Sequence, residues 1–174
     1  GMVADEYLQT LERYGNPFSS PRQARRKLID ELDIPIYEKG KTEYLLWLVD
    51  VVQEVVEVPL CLDSADADAL AAALPKCNQP PMINSITFEE DRLQKMTPLA
   101  RESGARVIAL CMSDDGPPKG LEDRIEIASR LVDRLTGDGI ELENIHVDPC
   151  VFPVSTDSAA GSWVLDAIGH ICSQ

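Results

Sequence analysis

Pro59-Leu60-Cys61-Leu62-Asp63-Ser64 is a short apolar run that ends on an acid and leads straight into a helix-like stretch. The arrangement recurs downstream. Pro81-Met82-Ile83-Asn84-Ser85 ends on an amide, and Ile145-His146-Val147-Asp148-Pro149 ends on a second acid. Between them lies a fourth apolar run, Arg106-Val107-Ile108-Ala109-Leu110-Cys111-Met112, followed by a polar Gly/Pro loop. Short apolar runs separated by longer stretches of helical period imply βα units and a parallel sheet. Such folds keep their chemistry at the C-terminal ends of the strands, where the polar residues of all three motifs stand.

Working outward, residues 43–57 predict a helix, with Leu45, Leu48, Val49, Val52 and Val56 along one face. Pro59 ends it, and a strand is expected over 60–62. Ser64 is the expected cap of the next helix, with Asp66 and Asp68 in a first turn that favours negative charge. A strand follows over 82–84. A helix over 88–103 contains Pro98, so a kink or break is expected there. Next come a strand over 106–112 and a helix over 122–136, whose face is Ile125, Ala128, Leu131, Val132 and Leu135. Gly137 and Gly139 stop that helix. A strand over 145–148 and a helix over 157–172 complete the pattern. Upstream, residues 3–14 and 20–32 read as helices. The second carries the basic run Arg22, Arg25, Arg26 and Lys27, read as a solvated face. Residues 34–37 read as an edge strand, since Pro35 rules out a central one. The expected organisation is one domain, with an N-terminal helical segment over 1–42 and a βα-repeat region over 43–174. Gly1 ahead of Met2 reads as a cleavage scar, with Met2 the natural start.

The 174 residues suffice for a real core but fall short of the roughly 250 of a complete (β/α)₈ barrel. A formal net charge of −14 argues against nucleic-acid binding, where the phosphates would repel it. No apolar run approaches the roughly 18 residues of a membrane span. The five cysteines form no CxxC pair, so neither a zinc knuckle nor a dithiol motif is signalled, and a reduced, cytoplasmic protein is expected. His146 and His170 have no second ligand three or four residues away, so no metal site is expected. His146 reads instead as a residue filling the inner side of the sheet. Asp114 and Asp115 read as turn formers before Gly116.

Side chains alternate faces along a strand. Cys61 therefore shares a face with Asp63, Met82 with Asn84, and His146 with Asp148. On neighbouring parallel strands Asp63, Asn84 and Asp148 would converge at one rim. Two carboxylates and an amide suit a flat heterocycle rich in N–H groups, such as an aminopyrimidinone. A single Asp after a strand is ordinarily a cap or a turn former, but three such polar ends in order point to a site.

These motifs resemble the pterin-binding motifs shared by dihydropteroate synthases and methyltetrahydrofolate:corrinoid methyltransferases. The likeness to the methyltransferases is closer. Trp47-Leu48-Val49 through Gln53-Glu54-Val55 resembles their helix before the Cys-Leu-Asp-Ser strand, and Ala109-Leu110-Cys111-Met112 with Gly116, Pro118 and Lys119 resembles their loop after the fifth strand. The resemblance covers about residues 44–170. It implies an α/β fold, a partial or remodelled (β/α) barrel in which these strands are the third to sixth. It implies Asp63, Asn84 and Asp148 as pterin ligands, with Ser85 and Lys119 as secondary contacts. Methyltetrahydrofolate or tetrahydrofolate would be the substrate, and the corrinoid (cobalamin) would be carried by a partner protein. The chain would need no metal of its own. The family's seventh-strand asparagine would lie beyond Gln174, and the family's first-strand Gly-Glu-Arg-like opening is absent, so no catalytic residue is assigned. The leading expectation is a methyltransferase or a subunit of one, in a homo-oligomer that covers open sheet edges. The alternatives are an inactive pterin-binding or interaction barrel and, less favoured, a dihydropteroate synthase-like enzyme, whose pyrophosphate substrate would need basic ligands.

Overall fold

Leu62, Ile83, Val107, Ala109 and Cys111 are buried, and every other residue between their neighbours on the strands is less so. This alternation builds one sheet with one covered face. The computed structural model describes residues 41–153, 155 and 159–173. The expectations for residues 3–14, 20–32 and 34–37 lie outside the described residues. Helix α1 (Lys41–Gln53) is followed by β1 (Cys61–Asp63), α2 (Ala67–Ala73), β2 (Met82–Phe88), α3 (Glu90–Ser103), β3 (Arg106–Ser113), α4 (Leu121–Gly137), β4 (Ile145–Asp148) and α5 (Ala160–Ile171). The four strands are parallel and lie in the order β1-β2-β3-β4. Sequential order without reversal is consistent with a partial (β/α) barrel, because a doubly wound sheet reverses its order at a switch point.

The core lies on the helix side of the sheet. Leu70, Ile83, Ile86, Leu93, Met96, Val107, Leu131 and Leu135 are its largest apolar members. A smaller cluster around Cys111, Ile127, Ala128 and Cys150 continues it beneath β4 and α5. The opposite face carries Cys61, Asp63, Met82, Asn84, Ile108, Leu110, His146 and Asp148. Of these Cys61, Asp63, His146 and Asp148 are exposed, so His146 does not fill an enclosed interior among the described residues.

Several boundaries depart from expectation for physical reasons. Helix α1 stops at Gln53, four residues early, and leaves Val55 and Val58 exposed. The Gln53 side chain ties this end down, donating to the Lys76 carbonyl and accepting from the Asn78 amide. β1 includes Asp63. β2 runs four residues past its expected end, through an irregularity in its pairing with β3 between Asn84 and Ile86. An extra residue there breaks the period-two pattern that would have announced the strand. Helix α3 passes through Pro98 without interruption; the carbonyl that loses its donor belongs to exposed Gln94, within reach of water. Ser64 does not cap α2. Asp66 does, accepting from the amides of Asp68 and Ala69, while Ser64 Oγ accepts from Asp66 N–H. α3 ends on Gly104 in the left-handed region at φ 63°, the conformation that glycine adopts without penalty.

Candidate functional site

Asp63 and Asn84 are Cα partners across β1 and β2, so their side chains stand about 5 Å apart on the exposed face. A cavity of about 450 Å³ opens beside them. Asp63, Ser64, Asn84, Ser85, Thr87, Glu89, Asp91, Arg92, Met112 and Asp114 are among its lining residues. Its size falls within the usual range of small-molecule sites. Four carboxylates face one guanidinium in this lining, so the cavity suits a ligand that brings N–H donors.

Several lining residues are held by local devices, and Asp63 is left open. Asp63 has no hydrogen-bond partner among the described residues, which leaves its carboxylate to a ligand. Glu89 accepts from Thr87 Oγ1. Asp114 does more than shape its turn. Its carboxylate accepts from Glu90 N–H at 3.2 Å and serves the start of α3, where Glu89 supplies no side-chain cap. The turn itself closes through paired backbone bonds between Ser113 and Gly116.

Asp148 stands apart. Its Cα partner on β3 is Leu110, whereas Asn84 pairs with Ile108, two residues lower. Two strand spacings and two residues put it about 10 Å across and about 7 Å along from Asn84. It is not among the residues lining the cavity. Its Oδ1 accepts from Cys150 N–H at 2.8 Å. Cys150 itself sits in the left-handed region at φ 61°, a strained position for a residue with a Cβ. Arg124 secures it: this buried guanidinium donates to the Cys150 carbonyl at 3.1 Å and the Gly120 carbonyl at 2.7 Å, and lies over the Trp163 ring. Lys119 is exposed and outside the cavity lining; its backbone N–H donates to Asp123. The structure thus brings Asp63, Asn84 and Ser85 together and leaves Asp148 and Lys119 at a distance.

Arg92 and Arg124 escaped the sequence reading. Both lie in the first turn of a helix, where the macrodipole disfavours a cation. That misplacement was the available signal. Among the described residues, no group of three His, Cys, Asp or Glu side chains is arranged to hold a metal ion.

Burial and the Asp148 charge hold the thiols near Asp148 in their protonated form. Burial pushes Cys111 up to about 12, with further push from Asp148 and Cys150, while Arg124 works the other way. At pH 8 roughly one Cys111 in 10⁴ is thiolate. Iodoacetamide labelling of the folded protein at pH 8, mapped by peptide mass spectrometry, is therefore expected to modify exposed Cys172 and Cys61 while sparing Cys111. Early modification of Cys111 would contradict this packing.

A family model described as pterin binding enzyme matches residues 36–172. The chain belongs to the pterin binding enzyme family. A methylcorrinoid:tetrahydrofolate methyltransferase of Eubacterium limosum is 33% identical over 118 residues, covering 67% of this chain and 44% of the relative. A methionine synthase of Mycobacterium tuberculosis is 32% identical over 105 residues, covering 57% of this chain and 9% of the relative. The methionine synthase of Mycobacterium leprae is 32% identical over 127 residues. The chain thus spans less than half the length of these curated relatives. In this member of the family no helix among the described residues is long and apolar enough to cross a membrane.

Proposed function

We propose that the chain binds the pterin ring of methyltetrahydrofolate beside Asp63 and Asn84, and that it serves a methyltransferase moving the N5 methyl group between folate and a corrinoid held by a partner protein. The pairing of Asp63 with Asn84 at the mouth of a ligand-sized cavity carries this reading. The pterin edge offers an amino group and a ring N–H, which a carboxylate accepts as a pair. The Asn84 amide can donate to one ring acceptor and accept from one donor. Asp148, with Oδ1 already held, offers its second oxygen to the far end of the ring system. Ser85 is a secondary contact, and the exposed Lys119 ammonium, outside the cavity, would meet the carboxylates of a glutamate tail that extends from the ring. The corrinoid, when its carrier docks, supplies the cobalt that gives or takes the methyl group. The open face around Asp63, His146 and Asp148 leaves room for such an approach. This chain's residues bind and orient the folate; orientation of the breaking bond is itself a large part of such a rate.

Calorimetric titration with methyltetrahydrofolate tests the reading, with affinity on the order of micromolar expected. Methyl transfer with an added corrinoid protein is then read from the visible spectrum of the corrinoid. Folded protein that takes up no methyltetrahydrofolate would sink the reading. Binding without transfer would favour the inactive pterin-binding alternative.

A further inference from the structure

We propose that Arg92 is the positioning residue of this rim, a clamp that fixes the separation of the two backbone segments carrying Asp63 and Asn84. The proposal rests on the pterin reading for its functional consequence. The Arg92 guanidinium makes four hydrogen bonds, all to backbone carbonyls. Nε and Nη2 donate to the Ser85 carbonyl at 3.0 and 2.8 Å, Nη2 also to Ser64 at 2.9 Å, and Nη1 to Ala65 at 2.8 Å. Ser64 and Ser85 directly follow the paired Asp63 and Asn84. One side chain thus ties the end of β1 to β2 immediately above the ligand-facing pair.

Three further features favour a clamp over a solvated arginine. Carboxylates are at hand on Glu89 and Asp63, yet the donors go to carbonyls. The pairing of β2 with β3 is irregular between Asn84 and Ile86, which is where an unpaired carbonyl is left for a side chain to take. The residue also stands in the first turn of α3, against the macrodipole, so its position needs compensation from local acceptors. The planar fork matters, since a guanidinium can bridge three carbonyls at fixed angles and an ammonium cannot. Hydrogen bonds to a rigid ring weaken steeply when donor and acceptor move apart or tilt. Fixing the rim therefore fixes affinity and orientation together.

The test compares wild type with Arg92→Lys and Arg92→Gln, with exposed Lys95→Gln as the control. Two readouts are taken: amide hydrogen exchange of the ligand-free protein, and calorimetric affinity for methyltetrahydrofolate. Arg92→Lys is expected to keep its exchange pattern over residues 106–113. It is expected to exchange faster over 61–65 and 82–88, and to bind methyltetrahydrofolate roughly 10- to 100-fold more weakly. Combined with Asp63→Asn, the loss is expected to be smaller than the product of the separate losses, since the two residues act on one contact. General destabilisation would not produce that coupling. Affinity of Arg92→Lys within twofold of wild type would overturn the proposal, as would unchanged exchange over both segments. If wild type binds no methyltetrahydrofolate, the pterin reading fails, and the exchange experiment still decides whether Arg92 holds the rim. Should Arg92→Gln not fold, Arg92→Lys, which keeps the charge, carries the comparison.

Discussion

Asp63→Asn is expected to weaken methyltetrahydrofolate binding by roughly 10- to 100-fold, the cost of a charge-assisted hydrogen-bond pair, without moving the urea midpoint. Asp63 is exposed, and no protein donor among the described residues binds its carboxylate. Its loss therefore breaks no hydrogen bond of the folded state and removes only a charge near the Arg92 guanidinium. Asparagine keeps the shape but presents an NH₂ where the ring also presents donors, so one contact turns from attractive to repulsive. Asp148→Asn makes a useful comparison. Asp148 already spends one oxygen on Cys150 N–H and lies outside the cavity lining. Its substitution is expected to weaken binding less, and to loosen the loop after β4 as well. Calorimetry at one salt concentration, beside urea unfolding of each variant, separates the two effects. Equal affinity for Asp63→Asn and wild type would remove Asp63 from the site.

The sequence made part of this site legible because strand alternation is a strict period. Asp63 shares a face with Cys61, and Asn84 with Met82, whatever the rest of the chain does. Three polar strand ends did not, however, specify three neighbours at one height. Asp148 pairs with Leu110 rather than with Ile108 because β4 docks two residues further along β3. Register of that kind is fixed by helix packing and loop length, which the strand itself does not encode. The second half of β2 was hidden for a related reason. Asn84-Ser85 interrupts the alternation, and Ile86 and Thr87 are then both buried. Arg92 and Arg124 were hidden more deeply, because their partners are backbone carbonyls that carry no residue identity. Helix α4 was read nearly residue by residue, since its apolar face recurs over seventeen residues and leaves little ambiguity. The buried positions nevertheless include Arg124 and Ile127 in place of Ile125 and Val132.

Leu131→Ala is expected to cost about 3 kcal/mol of stability, within the range for a buried leucine whose cavity refills only in part. Leu131 is fully buried at the centre of α4, among the residues that pack behind the sheet. α4 rests on β3 and β2, so the void opens beneath the strands and away from the rim. A domain of this size holds about 5–15 kcal/mol in all, so the variant stays folded at room temperature with a lower urea midpoint. Its affinity for methyltetrahydrofolate, corrected for folded fraction, is expected to stay within about twofold of wild type, as for distant sites that share no partners. The contrast with Arg92→Lys is the informative part. The core substitution removes more stability than the clamp substitution, yet the clamp substitution removes more affinity. If Leu131→Ala weakened binding as much as Asp63→Asn, packing behind the sheet would set the spacing of Asp63 and Asn84, and the guanidinium above them would be dispensable.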